Sequence, residues 1–373
     1  MLKQYEEYQE KLSKLENLEE TSLWYDEVAK RDMQRFALIE KIKLKKEYEV
    51  VIEANSSWDQ FSKIQPHSGE VKGDLLDIYL KEASQFALDR ALMIRVMEDK
   101  GLIKHKISNQ GIKLWRDLTD FLEYQYQALL RLCFEDSQYI YRHFFDQSIF
   151  DWYLKTNSEL GMVVEKVLFM LNSFDFSDVD HDILSRLYQE FFNPEERKRL
   201  GQFYTPPEVI RYLLKQVGWP GEGYLLDFSC GSGGFLIEAL RQLLEEGRRK
   251  NLSPESVWEQ ARRIVGFEIN PFAAHIAEIN LLSLLFDTFY QLVRQKKEQK
   301  VPPRIPDLNV FWVDALQKED PRFLAQPNSR FSTSARFWEA VQFRDHKTYR
   351  FVVGNPPYVR NERLDENIRS RYS

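Results

Sequence analysis

Near the carboxyl end of the chain, Asn355-Pro356-Pro357-Tyr358 combines an amide, two consecutive prolines and an aromatic ring. Each proline locks its own φ, so the pair forms a short rigid platform. A side-chain carbonyl and a backbone carbonyl held a fixed distance apart can both accept from one NH2 group, while Tyr358 offers a face on which a planar base can stack. As an isolated turn the tetrapeptide is bland; beside a cofactor loop it is a substrate clamp. A candidate loop lies upstream, in Asp227-Phe228-Ser229-Cys230-Gly231-Ser232-Gly233-Gly234-Phe235. Its glycines permit a tight turn and close approach of a ligand to the backbone, and the helix start behind them offers unpaired N–H donors. It is not the G-x-G-x-x-G dinucleotide fingerprint, and glycine-rich turns are common, so alone it divides evenly between a cofactor loop and a plain turn. Asp227 adds a preference for a cationic or hydroxyl-bearing ligand. A third group, Gly266-Phe267-Glu268-Ile269-Asn270-Pro271, carries its acid 268 − 227 = 41 positions after Asp227. Such an acid can accept both hydroxyls of a ribose. Taken singly, however, it reads more simply as a surface glutamate before a helix, where the macrodipole favours negative charge.

What must position these groups is a set of strands that end where they begin. Short apolar, β-prone runs at 224–228 (YLLDF), 263–267 (RIVGF), 310–313 (VFWV) and 351–353 (FVV) are the candidate strands, the third ending at Asp314. Helical patterns follow the first two, at 235–246 and 271–291, and the segment 245–260 adds helix or loop, stretching the usual spacing of about 20 between loop and acid. Strands alternating with helices predict a parallel sheet with right-handed crossovers, which binds ligands at the carboxyl ends of its strands.

Ahead of this α/β region the texture is different. Thirteen of the 14 prolines lie at or beyond Pro194, leaving Pro66 alone in the first half. Apolar residues recur at three and four positions through 75–99, with Gly101 placed to stop that helix, and comparable patterns run through 115–134, 138–154, 163–171 and 183–192. These predict a helical domain over 70–195, its stripes facing a core. Residues 1–69 read as a charged helical arm, with Leu12, Leu15 and Leu18 spaced by three; a solvated helix is favoured over a docking arm. The α/β domain then occupies 196–373. The overall expectation is therefore α/β: a helical N-terminal domain followed by a Rossmann-like domain. The 373-residue chain is 43% hydrophobic and 29% charged, which excludes a single small module and a disordered or fibrous protein. No run reaches the roughly 18 apolar residues of a membrane span, so no membrane partner and a cytoplasmic location are expected. Two cysteines and six scattered histidines give no disulfide framework and no metal site. A net charge of −6 means that any nucleic acid must be held by local basic patches.

Taken together, these motifs resemble the amino-group DNA methyltransferases that use S-adenosylmethionine, specifically the N6-adenine enzymes of restriction-modification and phage-defence systems. Gly201-Gln202-Phe203-Tyr204-Thr205-Pro206-Pro207 is similar to the motif that precedes the family's cofactor loop, 227–235 to the loop itself, Glu268 to the ribose-binding acid and 355–358 to the catalytic motif. The order is that of the γ arrangement, the resemblance spans about 180–360, and the helical domain in front is similar to that of type I modification subunits and fused type II enzymes. The resemblance implies methyl transfer to N6 of a flipped adenine in double-stranded DNA, with Asn355 and the Pro356 carbonyl accepting the two amino hydrogens on the platform that Pro357 completes, and Tyr358 stacking on the base. It implies that Phe203, Tyr204, Thr205, Asp227, Ser229, Gly231, Gly233, Phe235, Glu268 and Asp314 bind S-adenosylmethionine. Among them, Tyr204 and Thr205 take the methionine end, Asp227 the amino group, Glu268 the ribose and Asp314 the adenine. No metal is implied, and no nucleophilic thiol is required, so Cys230 reads as a small packing residue.

Family members continue past the catalytic motif with at least three more strands and a target-recognition region, whereas 373 − 358 = 15 residues follow Tyr358 here. The expectation is an incomplete sheet, finished by a longer polypeptide or a second chain, with a specificity domain or subunit beyond residue 373. Two rival readings share the clamp or the cofactor: glutamine or ribosomal RNA amino-methyltransferases, which generally lack the Phe-Tyr-Thr-Pro motif, and a non-catalytic cofactor-binding subunit of a defence complex. A nuclease trace, Asp59 with Glu70-Val71-Lys72, reads as accidental. Arg248-Arg249-Lys250, Lys296-Lys297 and Arg360, Arg363, Arg369 and Arg371 are candidate phosphate contacts, the first two runs more simply solvated faces.

Overall fold

The computed structural model describes residues 72–119, 126–146, 150–154, 158–179, 205–316 and 334–356. The charged arm, the pattern at 183–192, the nuclease trace at Asp59 and Glu70, and Arg360, Arg363, Arg369 and Arg371 lie outside them. No single helix among the described residues is long and apolar enough to cross a membrane.

The chain divides into two compact units. The first draws on 71–133 and 150–178 and is helical: α1 (Lys72–Asp99), α2 (Asn109–Leu118), the start of α3 (Tyr126–Ser137), a 3-10 turn at Asp151–Leu154 and α5 (Ser158–Leu171). As expected, α1 stops at Gly101, whose φ of +67° lets the Leu102 N–H turn back to the Met97 carbonyl at 2.8 Å. Its last turn carries buried Glu98, which accepts N–H bonds from Lys106, Ile107 and Ser108 at 2.6, 2.9 and 2.8 Å. One carboxylate thus gathers the loop that feeds α2. The single helix expected over 115–134 is two, because Thr119 closes α2 by folding its hydroxyl onto the Trp115 carbonyl at 2.7 Å.

The second unit takes in 134–149 and 179–373. The pattern at 138–154 yields a single-turn α4 (Arg142–Phe145) in this unit instead of a long helix. In and just before it, the apolar side chains of Ile140, Tyr141, Phe144 and Phe145 are all buried. Tyr141 donates to buried Glu278 at 2.6 Å and accepts from the Leu308 N–H at 3.0 Å, fixing this segment to the body of the unit.

That body is a four-stranded sheet of β1 (Leu225–Asp227), β2 (Ile264–Glu268), β3 (Val310–Trp312) and β4 (Phe351–Val353), all parallel and ordered β3-β2-β1-β4. The strands fall on the four runs expected, each end within one residue of its expected place. Between them come α6 (Pro207–Gln216) before β1, α7 (Gly234–Arg249), α8 (Pro254–Ala261), α9 (Pro271–Leu284), α10 (Phe286–Glu298) and α11 (Ser334–Asp345). The helix expected over 271–291 is broken at Leu285, where α9 and α10 meet at a bend of 71°. Leu285 is fully buried and serves both, donating to the Leu281 carbonyl and accepting from the Phe289 N–H. The ambiguous stretch 245–260 resolves into the end of α7 and α8, whose Ser253 cap accepts from the Ser256 N–H and whose Pro254 opens the helix. Leu226, Val265, Phe267, Phe311 and Val313 pack with Ala340 and Phe343 of α11 on one face of the sheet. On the other, α7 and α9 lie against β2, close enough that a β-carbon at Gly266 would meet Leu236 Cδ1 at 2.6 Å. Beyond α11's reach, Val352 of β4 is 50% exposed.

Candidate active site

Parallel pairing places Asp227, Glu268, Asp314 and Asn355 at the same end of the strands. Asp227 is the last residue of β1, Glu268 of β2, and Asp314 and Asn355 each lie two residues past the ends of β3 and β4. The order reverses at β1, since the chain goes from β1 to β2 and β3 on one side and returns to β4 on the other. This is the switch point at which open α/β sheets form a crevice.

The glycine loop turns out of β1 by using conformations that a β-carbon resists. Gly231 has φ +54° and Gly233 φ +91°. The Cys230 N–H bonds the Phe267 carbonyl at 3.0 Å, and the Gly233 N–H closes onto the Cys230 carbonyl at 2.8 Å. Gly233 is also the N-cap of α7 and sits against α9: a β-carbon there would stand 3.1 Å from Ala277 Cβ and 3.2 Å from its Cα. Gly233→Ala should therefore destabilise the protein by about 1–3 kcal/mol through combined backbone strain and crowding. A thermal melt checks this; an unchanged midpoint would show that the loop relaxes freely.

Glu268 is tied to this loop directly. Its Oε2 accepts from the Gly231 N–H at 2.8 Å and its Oε1 from the Asn270 N–H at 2.9 Å. Burial raises the Glu268 carboxyl above the usual range, and these backbone donors oppose the rise. The carboxylate is held in one orientation, as recognition of a vicinal diol requires. A loosely solvated glutamate before a helix would not be bonded this way; the capping task falls to Asn270, whose Oδ1 accepts from the Phe272 and Ala273 N–H groups.

Asp227 is 1% exposed and pushed up to about 7, first by burial and further by the charge of Glu268, against the opposing bond from the Ser229 N–H at 3.1 Å. A carboxylate in that position is short of positive charge. Close by, Ser229 Oγ is buried and makes no hydrogen bond among the described residues. Cys230 is buried, and its thiol is raised by burial first and then by Asp227 and Glu268. It is a packing group and no thiolate.

The end of β4 comes beside Asp227: a β-carbon at Gly354 would stand 3.0 Å from Asp227 Oδ1 and 3.2 Å from Phe228 Cε1. The following residue, Asn355, donates from Nδ2 to Thr205 Oγ1 at 3.1 Å. So Thr205, from the motif ahead of α6, meets Asn355, and Gly231 meets Glu268. Phe235 is buried in the first turn of α7. Asp314 caps its own turn through the Leu316 N–H at 2.9 Å, and its carbonyl accepts from Arg344 at 3.2 Å. Pro356 is exposed; Phe203, Tyr204, Pro357 and Tyr358 lie outside the described residues. Two supports were not foreseen. Asn280 of α9 donates to the Ser232 carbonyl at 3.0 Å, and Asn270 caps α9. An asparagine inside a largely apolar helix and an Asn-Pro pair at a helix start were the signals. Of the basic runs, Arg249 pairs with Glu246 and Lys250 with Glu222, both on exposed surface.

Comparison with known proteins follows the same residues. Residues 179–297 match the family model described as N-6 DNA Methylase, and 262–373 match that of the Eco57I restriction-modification methylase. A type I restriction enzyme methylase subunit, MjaVII of Methanocaldococcus jannaschii, is 31% identical over 129 residues, covering 34% of this chain and 20% of the relative. The adenine-specific methyltransferase PglX of Streptomyces coelicolor is 28% identical over 203 residues, covering 47% of this chain and 16% of the relative. The matches thus span about a fifth or less of these relatives' length. Among solved structures, the type IIL restriction-modification enzyme MmeI in complex with DNA is similar at a TM-score of 0.40 and 19% identity, over 76% of this chain and 41% of that one.

Proposed function

From the match of residues 179–297 to the N-6 DNA Methylase family model and of 262–373 to that of the Eco57I restriction-modification methylase, we propose that the protein transfers a methyl group from S-adenosylmethionine to the N6 amino group of adenine in double-stranded DNA, within a restriction-modification or phage-defence system. The observation that carries the reading is the convergence at one sheet edge of a pinned acid, a glycine loop and Asn355, with Asp227 between the loop and the clamp strand.

The residues present fit S-adenosylmethionine. A buried carboxyl short of positive charge at Asp227 suits the cofactor's ammonium, the fixed Glu268 carboxylate suits its ribose, and the unbonded Ser229 hydroxyl can take a further polar atom. Thr205, Gly231, Gly233, Phe235 and Asp314, with Phe203 and Tyr204, complete the proposed set. Bound there, the cofactor supplies an electrophilic methyl on a sulfonium centre.

The chain's own residues make the acceptor competent. The N6 lone pair of adenine is delocalised into the ring and attacks poorly. Asn355 Oδ1 and the Pro356 carbonyl, each accepting one amino hydrogen, draw the nitrogen towards tetrahedral geometry and localise the pair. This is preorganised electrostatics with positioning and needs no covalent enzyme intermediate. Because N6 lies inside the duplex, the base is extruded, and Tyr358 stacks on it. A specificity domain or subunit reads the recognition sequence in the DNA.

The test is methyl transfer by the full-length protein to plasmid DNA with tritiated cofactor, followed by nucleoside analysis. N6-methyladenine is the expected product. Bound cofactor with no methylated base would replace this reading by that of a non-catalytic assembly subunit, and label in protein or RNA would replace the substrate.

A further inference from the structure

We propose that Asn280 is a positioning residue for the glycine loop, holding the peptide unit between Ser232 and Gly233 in the orientation that receives the cofactor. This rests on the S-adenosylmethionine reading above and adds to it a residue outside the proposed cofactor set. Asn280 stands in α9, and its Nδ2 donates to the Ser232 carbonyl at 3.0 Å. A backbone carbonyl only accepts, so the contact itself determines that the amino group of the amide faces the loop. The same peptide unit is held at its other end, because the Gly233 N–H donates to the Cys230 carbonyl at 2.8 Å.

Glycines on either side make such a tie necessary. Steric clashes, which confine an ordinary backbone, restrain Gly231 and Gly233 least. Both stand at left-handed φ, +54° and +91°, yet as glycines they reach negative φ about as readily. A loop of this composition has a choice of folds, and hydrogen bonds must make it. Glu268 takes the Gly231 N–H, Cys230 takes the Gly233 N–H, and Asn280 secures the Ser232 carbonyl between them. Helix α9 meets the loop at two places three residues apart, Ala277 against Gly233 and Asn280 against Ser232, which are neighbours on one helix face. With the carbonyl released, the unit can rotate and the loop spends part of its time in forms that the cofactor does not fit. Affinity falls by that fraction, whereas methyl transfer, which begins only once the loop is filled, is unaffected.

Two variants of the full-length protein test this. Asn280→Ala removes the donor, and Asn280→Asp keeps the shape while setting an oxygen against the carbonyl. By calorimetric titration, the Kd of S-adenosylmethionine should rise about tenfold in Asn280→Ala, the size of one neutral hydrogen bond, and further in Asn280→Asp. At saturating cofactor, kcat for adenine methylation should stay within about twofold. The order of the two is diagnostic. The cofactor carries a net positive charge, so a carboxylate acting only through its field would tighten binding, and a side chain needed only to fill space would be replaced better by Asp than by Ala. A Kd unchanged in both variants, or wild-type binding by Asn280→Asp, would overturn the proposal.

A second readout needs neither cofactor nor turnover. Amide hydrogen exchange in the unliganded protein should quicken over 229–236 in both variants and remain as in wild type over β1 and β2. Loop exchange that does not change, or exchange that quickens equally throughout the second unit, would overturn the proposal. Quickening confined to the loop, in a protein whose wild type binds no S-adenosylmethionine, would support the tie while removing the cofactor reading beneath it.

Discussion

Asn355→Ala is expected to reduce turnover of DNA methylation by about 10²–10³-fold, as loss of one preorganised transition-state hydrogen bond does, while leaving cofactor affinity within about twofold. The division follows from where the residue stands. Asn355 lies past the end of β4 and bonds Thr205; the pinned acid and the glycine loop belong to β2 and β1. On the proposed mechanism, truncation removes the acceptor that localises the adenine lone pair and leaves the Pro356 carbonyl alone to orient it. The loss should appear in single-turnover rate and in kcat equally, since the bond strengthens only as the nitrogen pyramidalises. Tritium transfer under single-turnover conditions, with cofactor titration by calorimetry, checks both halves. Full methylation by the variant would remove the clamp mechanism.

Cofactor affinity should fall as the pH drops below about 7, by about tenfold per pH unit, so that some two orders of magnitude separate pH 7 from pH 5. The cause is Asp227, pushed up to about 7 by burial and by Glu268: below that pH it holds a proton and cannot pair with the cofactor's ammonium. The same shift acts on folding with a definite sign. Because the folded state holds this proton more tightly than the unfolded chain, the contribution favours the fold in acid and is lost as pH rises from about 4 through about 7. At roughly 1.4 kcal/mol per unit, the difference from the ordinary value of 3.8 amounts to about 4 kcal/mol. Asp227→Asn should thus bind cofactor weakly with little pH dependence below 7, yet unfold at a higher temperature than wild type, the more so at pH 8 than at pH 5. Calorimetric titrations across pH 5–8 and melts at both ends test it. Wild-type affinity that is flat in pH would remove Asp227 from the cofactor site.

The sheet was legible because its strands are short apolar runs bounded by turn formers, and the crevice because a polar residue stands at the end of each strand or two residues past it. What could not be read depends on tertiary packing. The break at Leu285 leaves no proline or glycine in the sequence; it exists because Leu285 and Phe286 are wholly buried where α9 and α10 meet. Helix α11 hides in an unpatterned stretch, since Ala340 and Phe343 acquire a face only once Phe311 and Val313 are beside them. At the site, spacing pointed to Asp227, the glycines and Glu268 as strand-end groups. It could not tell that Glu268 is fixed by the Gly231 amide, nor that Thr205 and Asn355 touch, because neither bond has a local signature.

Strand β4 is the last described strand in the chain, yet it lies against β1, the first, while β1, β2 and β3 pair among themselves without it. As the polypeptide leaves the ribosome, the half of the crevice proposed to hold the methyl donor can therefore close well before the half proposed to hold the acceptor exists. On the proposed function, a nascent or prematurely stopped chain lacking β4 would be expected to load donor while remaining unable to mark DNA, since the clamp is placed only when β4 pairs with β1.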